Sequence, residues 1–451
     1  MEMEITTLPK KYHSAVERWR DLYLPDYHLL VENWEKYFPK EPEFKLCAFR
    51  ALGMCSSIEC GDDEGKPKYQ RACEMDENKA HRLLGAVRAQ ASTEFGSIQQ
   101  HQLTLSRAQS EEDQFWILRM MAEELRHGYQ MFHVLLTDDW TSVSDTSGEQ
   151  MVEEILEMRT GSHVLGAFNV DFDSFVDNIV FCCLIDRVGK YQLSMQKVSA
   201  YAPMAESMPR MLQEEAFHLA TGVVPLRRWV TEAARGSRYT PMSLIQKTIN
   251  KWFPRGLEMF GDERGGGANV RLGFKPMKNG EAQEQYHAEV SRVVRDLNER
   301  FLRERVPEMT ATQAERAQRE IIEDGSTLHG ITRDDLLKLP DRRFYRRRGV
   351  SAFGMVGVDG QTFDSVDDYL DHILDSMPET SRAGRDFKRH AELQRQVASG
   401  ELTAEDASRA APQLQRVGGV CPCSKSVRWV LDDAKSGSGN GNGNGSGHAN
   451  G

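Results

Sequence analysis

The sequence predicts a mainly α protein, a four-helix bundle carrying N- and C-terminal extensions, on three observations. From Asp76 the chain turns to long apolar-periodic segments with few breakers. Two Glu-x-x-His motifs, Glu124/His127 and Glu215/His218, each set a carboxylate and an imidazole on one helix face. Each motif follows a further carboxylate about one helical hairpin upstream, Glu94 for the first and Asp186 for the second.

The elements follow in chain order. Residues 1–75 mix aromatics with short periodic stretches interrupted by Pro25, Pro39, Pro42 and Pro67, which predicts an N-terminal helical capping region. Residues 76–235 form the predicted core. Its first helix spans 77–107. Ser110 and Asp113 form a Ser-x-x-Asp capping box that opens a second helix running to about Leu136. A short connecting helix is expected at 148–159. The third long helix runs from about Phe172 to Ser199 and stops at Tyr201-Ala202-Pro203, and the fourth covers 205–234. A C-terminal, mainly helical region occupies 236–434, with helices at 281–304 and 311–323. Gly265 to Gly267 lacks the strand-before, helix-after setting of a phosphate cradle and reads as a plain loop. Residues 435–451, almost all Gly, Asn and Ser, predict a disordered tail.

The spacing of the carboxylates gives the pattern its meaning. Half a long helix, a loop and half the next would bring Glu94 opposite Glu124/His127, and Asp186 opposite Glu215/His218. A third motif, Glu284/His287, fails this test: Pro254 and Arg255 stand at the matching upstream positions, so the pair reads as an exposed one. Ile117, Met120 and Met121 flank the first motif, and Ile179, Cys182 and Cys183 share a face with Asp186. An unpaired carboxylate buried on such a face costs several kcal/mol, in round terms. Four carboxylates and two histidines converging there are explained by two divalent cations, whose charge the carboxylates cancel. This is the plan of ferritin-like bundles with a carboxylate-bridged di-iron centre. The predicted ligands are Glu94, Glu124, His127, Asp186, Glu215 and His218. The mixed carboxylate and imidazole set suits iron or manganese. The stretch between His127 and Asp186 fits the single long crossover of such folds. Glu123 and Glu214 lie about 100° round their helices from the ligand glutamates and are expected either to support the ligands from outside or to sit at the packing edge.

Composition excludes other classes. The 451 residues carry a net charge of −11, which argues against nucleic acid as partner. The first residues are acidic and lack the apolar core of a secretory signal. No apolar run approaches the ~18 residues of a membrane span, the longest tight one being Ile179 to Ile185. A cytoplasmic location is expected. Eight cysteines in so long a chain are not a disulfide framework. Cys182 and Cys183 read as buried thiols, and the Cys421-Pro422-Cys423 segment as structural.

Among di-iron classes, an iron store would be a shorter bundle. A radical-generating reductase subunit would place tyrosine where Met131 stands, and a desaturase would have glutamate at Asp186. Three stretches carry a closer likeness: Gly161-Ser-His-Val-Leu-Gly-Ala-Phe-Asn169, Asp186-Arg-Val-Gly-Lys-Tyr-Gln-Leu193 and Glu214-Glu-Ala-Phe-His218. They resemble the oxygenase component of the benzoyl-CoA 2,3-epoxidase family, related to the phenylacetyl-CoA epoxidase catalytic subunit. The likeness is strongest over 80–220 and fainter across Pro340 to Pro378. The chain departs from it after His218, where it reads Leu-Ala-Thr-Gly-Val-Val. The resemblance implies a third-helix aspartate ligand, matched by Asp186, two iron ions, and O2 as co-substrate. It further implies conversion of benzoyl-CoA to 2,3-epoxybenzoyl-CoA in aerobic aromatic catabolism. Electrons would come from a separate NADPH-dependent reductase, because the chain shows no flavin or nicotinamide fingerprint. For the phosphates of an acyl-CoA, the richest cationic cluster is Arg342, Arg343, Arg346, Arg347 and Arg348, which also fits a solvated loop. Two alternatives stay open: a related monooxygenase acting on another aryl or acyl thioester, and a scavenger of O2 or peroxide with no organic substrate.

Overall fold

The computed structural model describes residues 2–261 and 267–340, with a few further positions between 355 and 410. Two compact units divide the chain, Met1–Pro340 and Asp341–Gly451. In the second, Met355–Val356 and Thr362–Phe363 pair antiparallel. The arginines at 342, 343 and 346–348, the Cys421/Cys423 segment and the 435–451 tail lie outside the described residues.

The first unit opens with strand β1 (Met3–Thr6), followed by helices α1 (Lys10–Tyr23), α2 (Tyr27–Glu32) and α3 (Trp34–Tyr37). Strand β2 (Ala48–Ala51) returns antiparallel to β1 with Met3 opposite Ala51, a ribbon the helical reading of this region did not contain. The Phe49 N–H donates to Gln130 (2.7 Å) and Arg50 pairs with Glu206, so the ribbon is anchored to two core helices.

The bundle is two hairpins. Helix α4 (Glu77–Gln102) starts at Asp76, whose carboxylate accepts from the Lys79 N–H. Helix α5 (Glu111–Leu136) starts at Ser110, which accepts from the Asp113 N–H. Only this half of the expected capping box forms, since the Asp113 carboxylate turns instead to Arg228. After the short α6 (Gly148–Glu157), helix α7 (Phe175–Gln196) opens on a complete box of Ser174 and Asp177. Helix α8 (Ala202–Ala234) begins with Pro203 in its first turn. Tyr201-Ala-Pro therefore starts the fourth helix as well as following the third, because a missing N–H costs nothing at a helix N-terminus.

Beyond the bundle, α9 (Met242–Met259) packs on α7 although Pro241 precedes it and Pro254 interrupts it. Those prolines conceal it from a reading based on breakers. Of the glycine run, Gly267 is described: it adopts a left-handed conformation ahead of α10 (Ala268–Arg271). Helices α11 (Asn279–Arg305) and α12 (Ala311–Asp324) follow, the former against α8 and α7. Among the described residues no helix is long and apolar enough to cross a membrane.

The two helices of the second hairpin nearly touch at Gly222, where a Cβ would stand 2.3 Å from the Cys183 backbone nitrogen. Backbone cannot step aside as a side chain can. Gly222→Ala is therefore expected to destabilise the protein by about 1–3 kcal/mol in denaturant unfolding. An unchanged midpoint would show slack at this crossing.

Candidate metal centre

The predicted ligands come from all four bundle helices: Glu94 from α4, Glu124 and His127 from α5, Asp186 from α7, Glu215 and His218 from α8. All are at most 5% exposed. Donor atoms of Glu94, Glu124 and His127 lie within 4.8 Å of one another, as do those of Glu124, Asp186 and His218. Glu124 belongs to both sets. Glu215 joins both histidines in a third. The six thus form two overlapping half-sites with Glu124 and Glu215 between them.

The histidines are aimed. Nδ1 of His127 is 3.8 Å from Glu94 and 4.0 Å from Glu124. Nδ1 of His218 is 3.4 Å from Glu215 and 3.5 Å from Glu124. On the outer side, His127 Nε2 meets Glu214 (3.1 Å) and His218 Nε2 meets Glu123 (3.2 Å). A carboxylate only accepts, so Nε2 carries the proton and the Nδ1 lone pair points inward. Each glutamate orients the histidine of the opposite helix. Arg126 and Arg210 balance Glu214, and Arg119 balances Glu123 while lying over the Phe217 ring at 3.9 Å.

The inner groups are strained without a cation. Burial, then the neighbouring Glu94, raises the Glu124 carboxyl well above its ordinary range. Burial, then Glu215, pushes Asp186 up to about 8. Burial opposes charge on His218, yet the hydrogen bond to Glu123 and the nearby Glu215 carboxylate overcome it and raise its pKa well above the usual imidazole value. Burial likewise opposes charge on Glu214, but Arg126 and His127 hold it down at about 2. Asp186 Oδ2, Glu215 Oε1 and His218 Nδ1 are buried without a hydrogen-bond partner. Inward, unpaired oxygens and nitrogens in a set of four carboxylates and two imidazoles fit a pair of divalent metal ions.

Beside them lies a cavity of about 240 Å³ lined by all four carboxylates and, in part, by Ile185, Leu193, Leu165 and Phe168. Gln90, one turn before Glu94, also lines it and donates to that carboxylate. Gly189 makes room for Glu215, since a Cβ there would sit 3.0 Å from Oε1. Helical spacing sets Gln90 on the face of Glu94 without giving it a role, and the sequence reading missed Arg119, Arg126 and Arg210. Helical spacing could have found the arginines, which stand three or four positions from Glu123 or Glu214. The Glu284/His287 pair lies on α11, away from this cluster. Glu284 is exposed, but His287 is half-buried against the Phe253 ring, so the expectation of an exposed pair holds for the glutamate alone.

The fold and site define a helical-bundle protein with a buried di-metal-type cluster of carboxylates and histidines. Residues 70–321 match the phenylacetic acid catabolic protein family, and the chain belongs to it. It is similar to benzoyl-CoA oxygenase component B of Aromatoleum evansii, with 24% identity over 344 residues that cover 69% of this chain and 70% of that protein.

The raised groups make the metal-free protein sensitive to pH. Asp186 and Glu124 take up protons on folding, so their contribution fades as pH rises from the ordinary carboxylate range towards the raised values. His218 contributes most below pH ~6.5 and loses that contribution as pH rises through its higher folded value. The buried His101 and His163, lowered to about 3 and about 4 mainly by burial, act oppositely but only below ~6.5. From pH 6.5 to 8 the melting temperature of metal-free protein should therefore fall, and loading with manganese(II) should flatten the slope. Equal slopes with and without metal would argue against the cluster as the metal site.

Proposed function

We propose that the chain is the oxygenase subunit of a di-iron monooxygenase system acting on an aromatic acyl-CoA thioester. The observation that carries this is the cavity lined by the four carboxylates, with the Nδ1 atoms of both histidines turned towards Glu124 between them. Glu94, Glu124, His127, Asp186, Glu215 and His218 would hold two iron ions, with Glu124 and Glu215 placed to serve both. When bound, the irons would supply the redox chemistry that activates O2. The protein's own part is position and charge: four carboxylates cancel the charge of two ferrous ions, and Glu123 and Glu214 keep the protons on the outer nitrogens. Ile185, Leu193, Leu165 and Phe168 supply apolar surface against which an aromatic ring would pack. A site that only removed O2 or peroxide would need no such room for an organic group.

The finer reading is epoxidation of benzoyl-CoA to 2,3-epoxybenzoyl-CoA; the name of the Aromatoleum evansii relative supports benzoyl-CoA as the substrate, and the three stretches of likeness suggest the epoxidation. Oxygen insertion with loss of water needs two external electrons. A separate NADPH-dependent reductase would provide them, in keeping with the relative's designation as one component of a system. Residues 76–235 are the catalytic core in this reading, 1–75 its cap and 236–434 an extension. The arginines at 342, 343 and 346–348 are its proposed phosphate contacts, and the system is assigned to the cytoplasm.

Incubation of iron-loaded protein with benzoyl-CoA, O2, NADPH and a surrogate reductase is expected to yield an acyl-CoA heavier by one oxygen atom. Asp186→Ala should abolish it. Reductant consumption with unchanged benzoyl-CoA would remove the substrate assignment and leave the oxygen chemistry. Replacing Arg346 and Arg347 together by alanine should raise the KM for the thioester roughly tenfold or more, as loss of two charge-assisted contacts would; an unchanged KM would discard the cluster as a phosphate site.

A further inference from the structure

The bundle walls of the cavity have little freedom to vary. Helices α4, α5, α7 and α8 carry the six inner groups, so displacing them to change the cavity would displace the cluster. Two walls are different: one comes from beyond α8, where Met259, Phe260 and Phe274 line the cavity, and the other from the connection that precedes α7. Leu165 and Phe168 come from the connection between α6 and α7, which contributes none of the six. A single 3₁₀ turn, Gly166–Asn169, carries Phe168.

That connection is fastened by buried polar side chains. Asn169 Oδ1 accepts from the N–H groups of Gly161 (2.9 Å) and His163 (2.8 Å), and its Nδ2 donates to the carbonyls of His163 and Leu165, both at 2.9 Å. All four hydrogen-bonding positions of one carboxamide are thus filled by the backbone of its own loop. His163 then ties the loop to α4. Its Nε2 meets Gln99 Oε1 at 3.1 Å and its Nδ1 meets Ser92 Oγ at 3.2 Å. The Gln99 oxygen can only accept, so Nε2 carries the proton and Nδ1 accepts from the serine hydroxyl. Ser92 Oγ in turn accepts the Val164 N–H at 3.0 Å. Gln100 closes the far end by donating to the carbonyls of Ala167 (2.8 Å) and Val170 (2.6 Å).

The seat is as close as it can be. A Cβ on Gly96 would lie 2.9 Å from Phe168 Cβ and 3.0 Å from the His163 ring. Ser92, Gly96 and Gln99 share one face of α4, so the loop rests on the side of that helix turned away from Glu94, and Leu165 and Phe168 reach the cavity from its edge. Phe168 is wedged with its ring edge-on to Phe181 at 5.8 Å, and it faces the cavity from there.

We propose that segment 161–169 sets which ring the cavity accepts, with Phe168 as the specificity-determining side chain and His163 and Asn169 as the residues that position it. The inference rests on the reading that the cavity takes an aroyl thioester. Phe168 lines the same cavity as Glu94, and in this proposal its ring limits the accepted group to a single aromatic ring and keeps that ring against the carboxylates. A fused two-ring acyl group would collide with Phe168. The lock spends five buried polar side chains on one loop because a shift of about an ångström in Phe168 would misplace the ring relative to the reacting centre.

The test is calorimetric binding of benzoyl-CoA and 2-naphthoyl-CoA to the full chain loaded with manganese(II), so that affinity is read without turnover. Wild type should prefer the benzoyl ester. Phe168→Ala should shift the preference towards the naphthoyl ester by about tenfold or more, the scale set by removing a few methylene-sized groups from a pocket wall. Phe168→Leu should shift it less, and it carries the test if the alanine variant does not fold. Asn169→Ala should weaken benzoyl binding and reduce the ratio between the two esters at a melting temperature that still shows a folded protein. Benzoyl binding with an unchanged ratio in the Phe168 variants would overturn the inference and leave the proposed substrate class. Binding of neither ester to wild type would overturn that class and this inference with it. A ratio moved by Phe168→Ala but untouched by Asn169→Ala would overturn the positioning role of the lock.

Discussion

Everything in this fold is arranged around one electrostatic constraint, the burial of four carboxylates and two imidazoles within a few ångströms of one another. Isolated charges at such depth are strongly unfavourable. The inner carboxylates are eased by proton or metal. Around them, Glu123 and Glu214 pair with arginines and with the crossed histidines. Each histidine is thereby fixed by the opposite hairpin, so the two Glu-x-x-His helices are registered against each other through polar bonds as well as apolar contact. A partly satisfied network of this kind would be worse than an apolar core. Its members beyond the six inner groups are correspondingly well paired.

Elements outside the bundle keep the hairpins in register. Asp177 closes the capping box of α7 and also accepts from Lys251 and the Trp252 indole on α9, both at 2.8 Å. Burial works against its charge, yet the Lys251 ammonium holds its carboxyl below the usual range. Further along α7, Arg187, Lys190 and Tyr191 all converge on Glu289 of α11. The region after 235 thus braces the helix that carries Asp186 at its N-terminal turn and again one turn beyond the aspartate, and that bracing explains why the chain extends past a minimal four-helix core.

The sequence made the bundle legible because helix geometry and metal chemistry impose the same periodicity. Three positions apart is one face, and thirty is a hairpin, so Glu94, Glu124/His127, Asp186 and Glu215/His218 could be paired without coordinates. The same rule discarded Glu284/His287. Other features depend on long-range contact and leave no local trace. The β1–β2 ribbon is two four-residue strands separated by three helices, too short to show alternation. Helix α9 is masked by Pro254, which the structure tolerates because tertiary packing outweighs local propensity. The lock in segment 161–169 was visible as a familiar run of residues, but its physical purpose appears only when Asn169 is seen to bind its own loop and His163 to reach across to α4.

Helix α7 shows why the constraint cannot be evaded. It is apolar round most of its circumference, buried by α8 on one side and α9 and α11 on others, with Ile179, Val180, Phe181, Cys182 and Cys183 nearly inaccessible to water. Asp186 on such a helix is 5% exposed and reaches only the cavity it shares with the other three carboxylates. One turn earlier only the Cys182 thiol offers it a weak hydrogen bond, and that bond lowers a pKa which burial and Glu215 together have raised. Asp186 must therefore hold a proton or face a cation. With Glu215 and His218 in the same position across the hairpin, a bound cation removes the need for a proton on any of the three. The sequence sets out the carboxylates; the surrounding apolar helices make their neutralisation compulsory.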